Sequence, residues 1–299
     1  MNASPHDNDG PAGDGSAAFD AGAHREASLA GWEAVAAGWA RRQEEIRRLG
    51  APVSEWMLDA VLLQPGERVL ELAAGLGETG MLAAEQVAPM GGVIISDQAD
   101  AMLDGARARA EELGLNNIEF QVLAAEWIDL PLASVDAVLC RWGYMLLADP
   151  AAALAETRRV LRPRGRVALA VWDSVQRNPW ALAPSLELME RGLTSPPIPG
   201  TPGPFALADP ERVCELLAEA GFTEIDVQAL DVEQRHDSFD LFWETTLDIS
   251  RVFHDAVLSR PQLEIAEIRA GLHSRLEPFL APDGTLAIPG RTLVASASA

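Results

Sequence analysis

Val69-Leu70-Glu71-Leu72-Ala73-Ala74-Gly75-Leu76-Gly77-Glu78-Thr79-Gly80 is a short apolar run that gives way to glycines and resumes as a helical pattern. It reads as a strand, a tight turn and the start of a helix. Glycine lets the backbone adopt angles closed to other residues and lets a ligand approach closely. Gly75, Gly77 and Gly80 satisfy G-x-G-x-x-G, a spacing that alone would also suit a dinucleotide. Glu71, at the end of the strand, separates the two readings. A carboxylate there repels a pyrophosphate and attracts a cationic amino-acid moiety.

Outward from this turn the chain alternates. Strands are expected over Arg68 to Leu72, Val93 to Ser96, Ile118 to Leu123, Ala137 to Cys140 and Arg166 to Val171. Helices are expected over Thr79 to Val87, Ala99 to Leu113 (stopped by Gly114) and Ala151 to Leu161 (stopped by Arg162-Pro163). Strands spaced by helices predict an α/β fold: a Rossmann-like, doubly wound, mostly parallel seven-stranded sheet with helical cap elements. Phe222 to Val232 and an edge strand over Thr292 to Ala297 complete the seven.

The expected organisation has four parts. Residues 1–26, rich in Gly, Ala, Asp and Pro, read as a disordered tail. Residues 27–64 hold N-terminal helices, one over Leu29 to Leu49 and one over Ser54 to Leu63 with Ser54 as N-cap. Residues 65–173 form the Rossmann-like core. Residues 174–299 supply a cap and the last strands: a Pro-rich stretch over 173–204, much of it loop, a helix from Asp209 to Ala220 with Pro210 at its first position, and a mostly helical segment over 238–280.

Three further segments carry chemistry. Asp97 closes the second strand, where a carboxylate can accept both hydroxyls of a ribose. A turn or cap Asp is the alternative, and the company of Glu71 and the glycines favours the ribose. Ala124-Ala125-Glu126-Trp127-Ile128-Asp129-Leu130-Pro131 follows the third strand, and Cys140-Arg141-Trp142-Gly143-Tyr144 follows the fourth.

With Leu161-Arg162-Pro163-Arg164-Gly165-Arg166, these ordered motifs resemble the class I S-adenosylmethionine-dependent methyltransferases over about Val53 to Trp172. The small-molecule branch is nearest, with features similar to the ubiquinone/menaquinone C-methyltransferases. The resemblance implies that Glu71, Ala73 and Gly75 border the methionyl part of S-adenosylmethionine, with Gly77 in the same turn. Asp97 would hold the ribose, and Gln98 and Met102 would flank the adenosine. Ala125 and Glu126 would meet the adenine edge, with Trp127 over it, and Cys140 and Arg141 would complete the pocket. Ala73 stands where the family usually has Gly, which Ala can replace if its backbone angles are ordinary. Ala124 stands where the family often has Asp, so that adenine contact must come from elsewhere.

The implied reaction is in-line methyl transfer to a small-molecule metabolite, driven by proximity and desolvation, leaving S-adenosylhomocysteine. A general base is needed only if the acceptor must lose a proton. The candidates are Tyr144, the single tyrosine, and His236 and His254, with His273 beside them in the cap. Each is as readily structural. Trp32 and Trp39 could close over the donor, and Trp172, Trp180, Phe242 and Trp243 suggest an apolar or aromatic acceptor pocket. Two rivals stay open: a donor-binding fold without methyl transfer, serving as an assembly or regulatory partner, and a nicotinamide-dependent oxidoreductase.

Composition narrows the partners. The chain has 299 residues and a formal net charge of −22, and its 23 basic residues are all Arg. Such a surface repels a phosphate backbone, which disfavours a nucleic-acid substrate. Two cysteines without paired spacing exclude a disulfide framework and a zinc site, so no metal is expected. No apolar run is long enough to span a bilayer and no secretory signal is seen, so a cytoplasmic address is expected, without membrane insertion. The composition suits a GC-rich bacterium and secondary metabolism, and leaves a homodimer open.

Overall fold

A computed structural model describes residues 19–299. Most of the segment read as a tail, residues 1–18, lies outside the described residues; the remainder is not a tail. Asp20 caps a helix, accepting from the Ala23 amide at 3.0 Å, and α1 runs over Ala21–Arg41. The Gly- and Ala-rich composition masked its start. A second helix, α2 (Gln43–Val61), runs straight through Pro52. Ser54, expected as its cap, is instead inside it, and its hydroxyl lies 2.8 Å from that of Thr79. Burial of Val53, Met57, Leu58 and Val61 outweighs the one backbone hydrogen bond that proline removes.

The sheet follows the expected rhythm. Its strands are β1 (Arg68–Glu71), β2 (Gly92–Asp97), β3 (Ile118–Val122), β4 (Val135–Arg141), β5 (Leu161–Trp172), β6 (Thr223–His236) and β7 (Leu286–Ser298), in the order β3-β2-β1-β4-β5-β7-β6. The first five pair in parallel, and β7 runs antiparallel to both β5 and β6. The last strand is therefore interior, and β6 forms the edge. Strand β7 is buried along Leu293, Val294 and Ala295, as its apolar run requires.

Between the strands lie α3 (Glu78–Val87), α4 (Asp100–Leu113) and α5 (Pro150–Val160). Gly114 ends α4 in a left-handed conformation. Strand order reverses between β1 and β4, so the chain opens a crevice at the carboxyl ends of these two strands.

Beyond β5 the chain builds α6 (Pro179–Glu190), inside a stretch expected as loop, then α7 (Pro210–Glu219), α8 (Phe239–Ile249), α9 (Arg251–Leu258) and α10 (Gln262–Leu276). Asp209 caps α7 as expected, accepting from the Glu211 amide. Helices α6, α8, α9 and α10 share an apolar cluster of their own around Phe242, Trp243, Phe253 and Leu272, closed by Leu286 and Ile288 of β7. Within it the buried carboxylate of Glu187 joins Arg191 at 2.6 Å to Arg275 at 2.9 Å. Among the described residues, no helix is long and apolar enough to cross a membrane.

Candidate functional site

The site begins where β1 ends. The backbone leaves the sheet at Leu72, whose amide donates to Leu139 O at 2.9 Å, and re-enters as α3 after Gly77. Gly75 and Gly77 have φ of 55° and 76°, and the turn is tied by Ala74 N to Ser96 O at 3.0 Å. A Cβ on Gly75 would project into open space, its nearest neighbour the Trp39 ring at 4.0 Å. The bare backbone is thus presented to a crevice rather than packed. Ala73 does not have ordinary angles: its φ is 49°, a left-handed conformation that costs an L-residue roughly 1–2 kcal/mol. The expectation of an unstrained substitution there is corrected.

Asp97, at the end of β2, stands across from the turn. One carboxylate oxygen accepts from Gly75 N and the other from Ala99 N, each at 2.9 Å. Burial pushes its carboxyl above the usual range, and these amides oppose that. Each oxygen keeps a lone pair for a further donor, so the carboxylate is aimed and not saturated.

Glu71 takes a different place from the one expected. It lies behind the turn, 2% exposed, with Oε2 accepting from Gly80 N at 2.9 Å. Burial pushes its carboxyl up to about 8; nearby Arg141 opposes this and Glu78 adds to it. It does not line the crevice; it holds the glycine turn against α3. A Cβ on Gly80 would lie 2.8 Å from Ile95 Cγ1 and closer still to Glu71 Oε2, so the third glycine serves packing.

The crevice holds about 850 Å³ of space between atoms, its open mouth to solvent included. Of the expected ligand residues, Ala73, Gly75, Asp97, Gln98, Ala125, Glu126 and Arg141 line it, together with Trp32 and Trp39. The others do not. Gly77 starts α3 with its hydrogen toward Ile95. Met102 is buried beneath α1 among Val35, Leu76 and Ala99. Cys140 is buried inside β4, its thiol pushed up to about 12 by burial. Trp127 is 79% exposed and covers nothing in the crevice.

The catalytic candidates fare similarly. Tyr144 is fully buried, its hydroxyl 2.6 Å from that of Thr157. His236 is buried against Phe242 with its imidazole held neutral, its pKa lowered to about 4 by burial. His254 is exposed on α9 beside Asp255, and His273 packs on Phe239. None of the four lines the crevice.

Helix α1 forms the roof and supplies residues that the sequence reading missed. Arg25 pairs with Glu126 at 2.5 Å, Gln98 donates to Ser28 Oγ at 3.1 Å, and His24 Nε2 lies 3.0 Å from Leu146 O. A carbonyl only accepts, so that nitrogen carries the hydrogen. At its other end Trp39 donates to Ile249 O, and Arg41 and Arg42 both pair with Asp248, tying α1 to α8 and the cap. Asp20 ahead of an Ala- and Glu-containing run was the signal for this helix.

The far wall is Trp142, a residue not singled out beforehand. Its φ is 62°, and the strain is held by its amide on Ala170 O and its indole N–H on Thr292 Oγ1 at 3.1 Å. Its ring stacks on Trp172 at 4.3 Å, and Trp172 meets Trp180 at 4.8 Å. Strained backbone of this kind gathers at functional sites. Among the described residues, no group of three His, Cys, Asp or Glu is placed to hold a metal.

A family model described as a methyltransferase domain matches residues 63–195. The chain is similar to the nocamycin O-methyltransferase of Saccharothrix syringae, 30% identical over 193 residues, covering 62% of this chain and 69% of that protein. It is also similar to the aklanonic acid methyltransferase DauC of a Streptomyces species, 36% identical over 117 residues, covering 39% of this chain and 53% of that protein. The match spans only 34% of another relative, an uncharacterized transposon protein of Streptomyces fradiae. In fold it is similar to the crystal structure of YcgJ from Bacillus subtilis, with a TM-score of 0.53 and 19% identity, covering 82% of this chain and 97% of that one.

Proposed function

Because this chain belongs to the class I S-adenosylmethionine-dependent methyltransferase family, we propose that it binds S-adenosylmethionine in the crevice between β1 and β4 and methylates a small metabolite there. One observation carries the reading. The bare backbone of Gly75 and the aimed carboxylate of Asp97 face the same crevice, as a nucleoside with a bulky 5′ substituent requires. Asp97 would take the ribose hydroxyls, Ala125 and Glu126 would border the adenine, and Ala73 with Arg141 would border the methionyl end. When bound, the donor supplies the activated methyl group.

The chain's own part is to bind, orient and exclude water. Trp32 and Trp39 close the roof, and desolvation favours a reaction in which charge disperses. Trp142 and Leu146 give the acceptor side an apolar wall, which suits an apolar or aromatic acceptor. No base is assigned, because the expected candidates lie elsewhere. The net charge of −22 speaks against nucleic acid. A cytoplasmic bacterial enzyme of secondary metabolism fits this picture, as monomer or homodimer.

The test is transfer of label from methyl-tritiated S-adenosylmethionine, with nocamycin-type and aklanonic acid-type substrates, named by its relatives, as first acceptors. Label in the acceptor with stoichiometric S-adenosylhomocysteine is the expected result. Tight donor binding with no transfer to any acceptor would favour a donor-binding fold without methyl transfer.

A further inference from the structure

We infer that the buried cluster of Glu71, Glu78 and Arg141 discriminates the cationic donor from its neutral product, with Glu71 protonated in the free protein and releasing that proton to solvent when the sulfonium ligand binds. The inference rests on the donor assignment proposed above and deepens it.

Two carboxyl groups face one guanidinium behind the glycine turn. Arg141 Nη2 donates to Glu78 Oε2 at 3.0 Å, with both side chains under a tenth exposed. Glu78 Oε1 and Arg141 Nη1 are buried without partners. The guanidinium reaches the crevice at one side and fills the space left by the absent side chain of Gly50 at the other. Arg141 therefore neutralises Glu78, and Glu71 has no cation of its own.

Among the groups around Glu71, Arg141 opposes its burial most, and that guanidinium already pairs with Glu78. From α3 Glu71 receives the Gly80 amide and the Thr79 hydroxyl, which also meets Ser54 of α2. From β2, Ser96 donates to its backbone carbonyl, and Asp97 stands farther along that strand with a like charge. From β4 come Arg141 and the neutral thiol of Cys140. Arg47 of α2 faces Glu78 and not Glu71. Burial pushes the Glu71 carboxyl up to about 8, so it is neutral at pH 7.

A sulfonium is a permanent charge. A unit positive charge held in the crevice favours ionisation of a nearby buried carboxyl, by about tenfold for each 1.4 kcal/mol of attraction. The thioether of the product carries no such charge. Preference for donor over product should therefore grow with pH, by about tenfold as Glu71 ionises. The preference is then most favourable to the donor in the alkaline part of the range, and Glu71 regains a proton as the methyl group leaves.

The test is calorimetric titration with S-adenosylmethionine and with S-adenosylhomocysteine from pH 6 to pH 9, in two buffers of different ionisation heat, on the wild type and on Glu71→Gln. The expected result is a donor-to-product preference that climbs with pH in the wild type and stays flat in the variant. The variant should also lack the proton that the wild type releases. The ligands' α-amino groups titrate in both proteins alike, so the variant subtracts them. A flat preference in the wild type, or an equal climb in both, overturns the inference. If Glu71→Gln does not fold, difference infrared spectroscopy of the wild type reads the same proton. Loss of a protonated-carboxyl band with the donor and not the product supports the inference, and an unchanged band overturns it. Binding of neither ligand would overturn the donor assignment itself, a separate and distinguishable result.

Discussion

Asp97 is the residue on which the proposed donor site and the scaffold meet. Its carboxylate aims at the crevice because Gly75 N and Ala99 N hold it, so Asp97→Ala removes the proposed ribose contact and the acceptor of two backbone amides together. S-adenosylmethionine binding should weaken by about 2–3 kcal/mol, measured by calorimetry, with some loss of thermal stability as well. Ala73 makes the opposite case. At φ 49° an alanine is strained, so Ala73→Gly should raise stability by about 1 kcal/mol in denaturant unfolding. A loss of stability would mean that the methyl group contributes packing greater than its strain. Neither the strain at Ala73 nor that at Trp142 was legible in the sequence, because both are imposed by neighbouring strands. Asp97 was legible, since its place at a strand end is a local property. Glu71 was legible as important and misread in role: its type was plain, but whether it faced the crevice or Gly80 depended on how α3 packs.

At the scale of elements, the parallel strands and their helices were plain from period and punctuation. Gly114 and Asp209 marked their helix ends as expected. The failures share one cause. Helix α1 begins in Gly- and Ala-rich sequence, α2 passes through Pro52, and β7 lies inside the sheet, and in each case tertiary burial overrides the local signal. Helix α1 spans the crevice and the cap, held at its far end by Asp248. Asp248→Ala should free that end and speed donor release several-fold in stopped-flow Trp fluorescence, with a smaller change in melting temperature. Arg25→Ala, which breaks a partly exposed pair, should have less effect on stability, within about 1 kcal/mol.

The whole molecule joins a Rossmann-like sheet to a helical cap through β6, β7 and α1, and His236 lies at that junction. Its imidazole is held neutral by burial, with a pKa lowered to about 4 against 6.5 for an ordinary histidine. The unfolded chain therefore binds the extra proton first. Stability from this group is present above pH 6.5 and is lost as pH falls toward about 4. Melting temperature should drop across that window, and His236→Phe should flatten the drop; an unchanged slope would place the acid sensitivity elsewhere. Calorimetric titration with S-adenosylmethionine, S-adenosylhomocysteine and NADH asks whether the crevice is an adenosyl-donor site. Saturable binding of both adenosyl ligands is expected, weakened in Asp97→Ala by about 2–3 kcal/mol, with no binding of NADH. Binding of NADH alone would contradict the donor assignment and make the glycine turn a dinucleotide site.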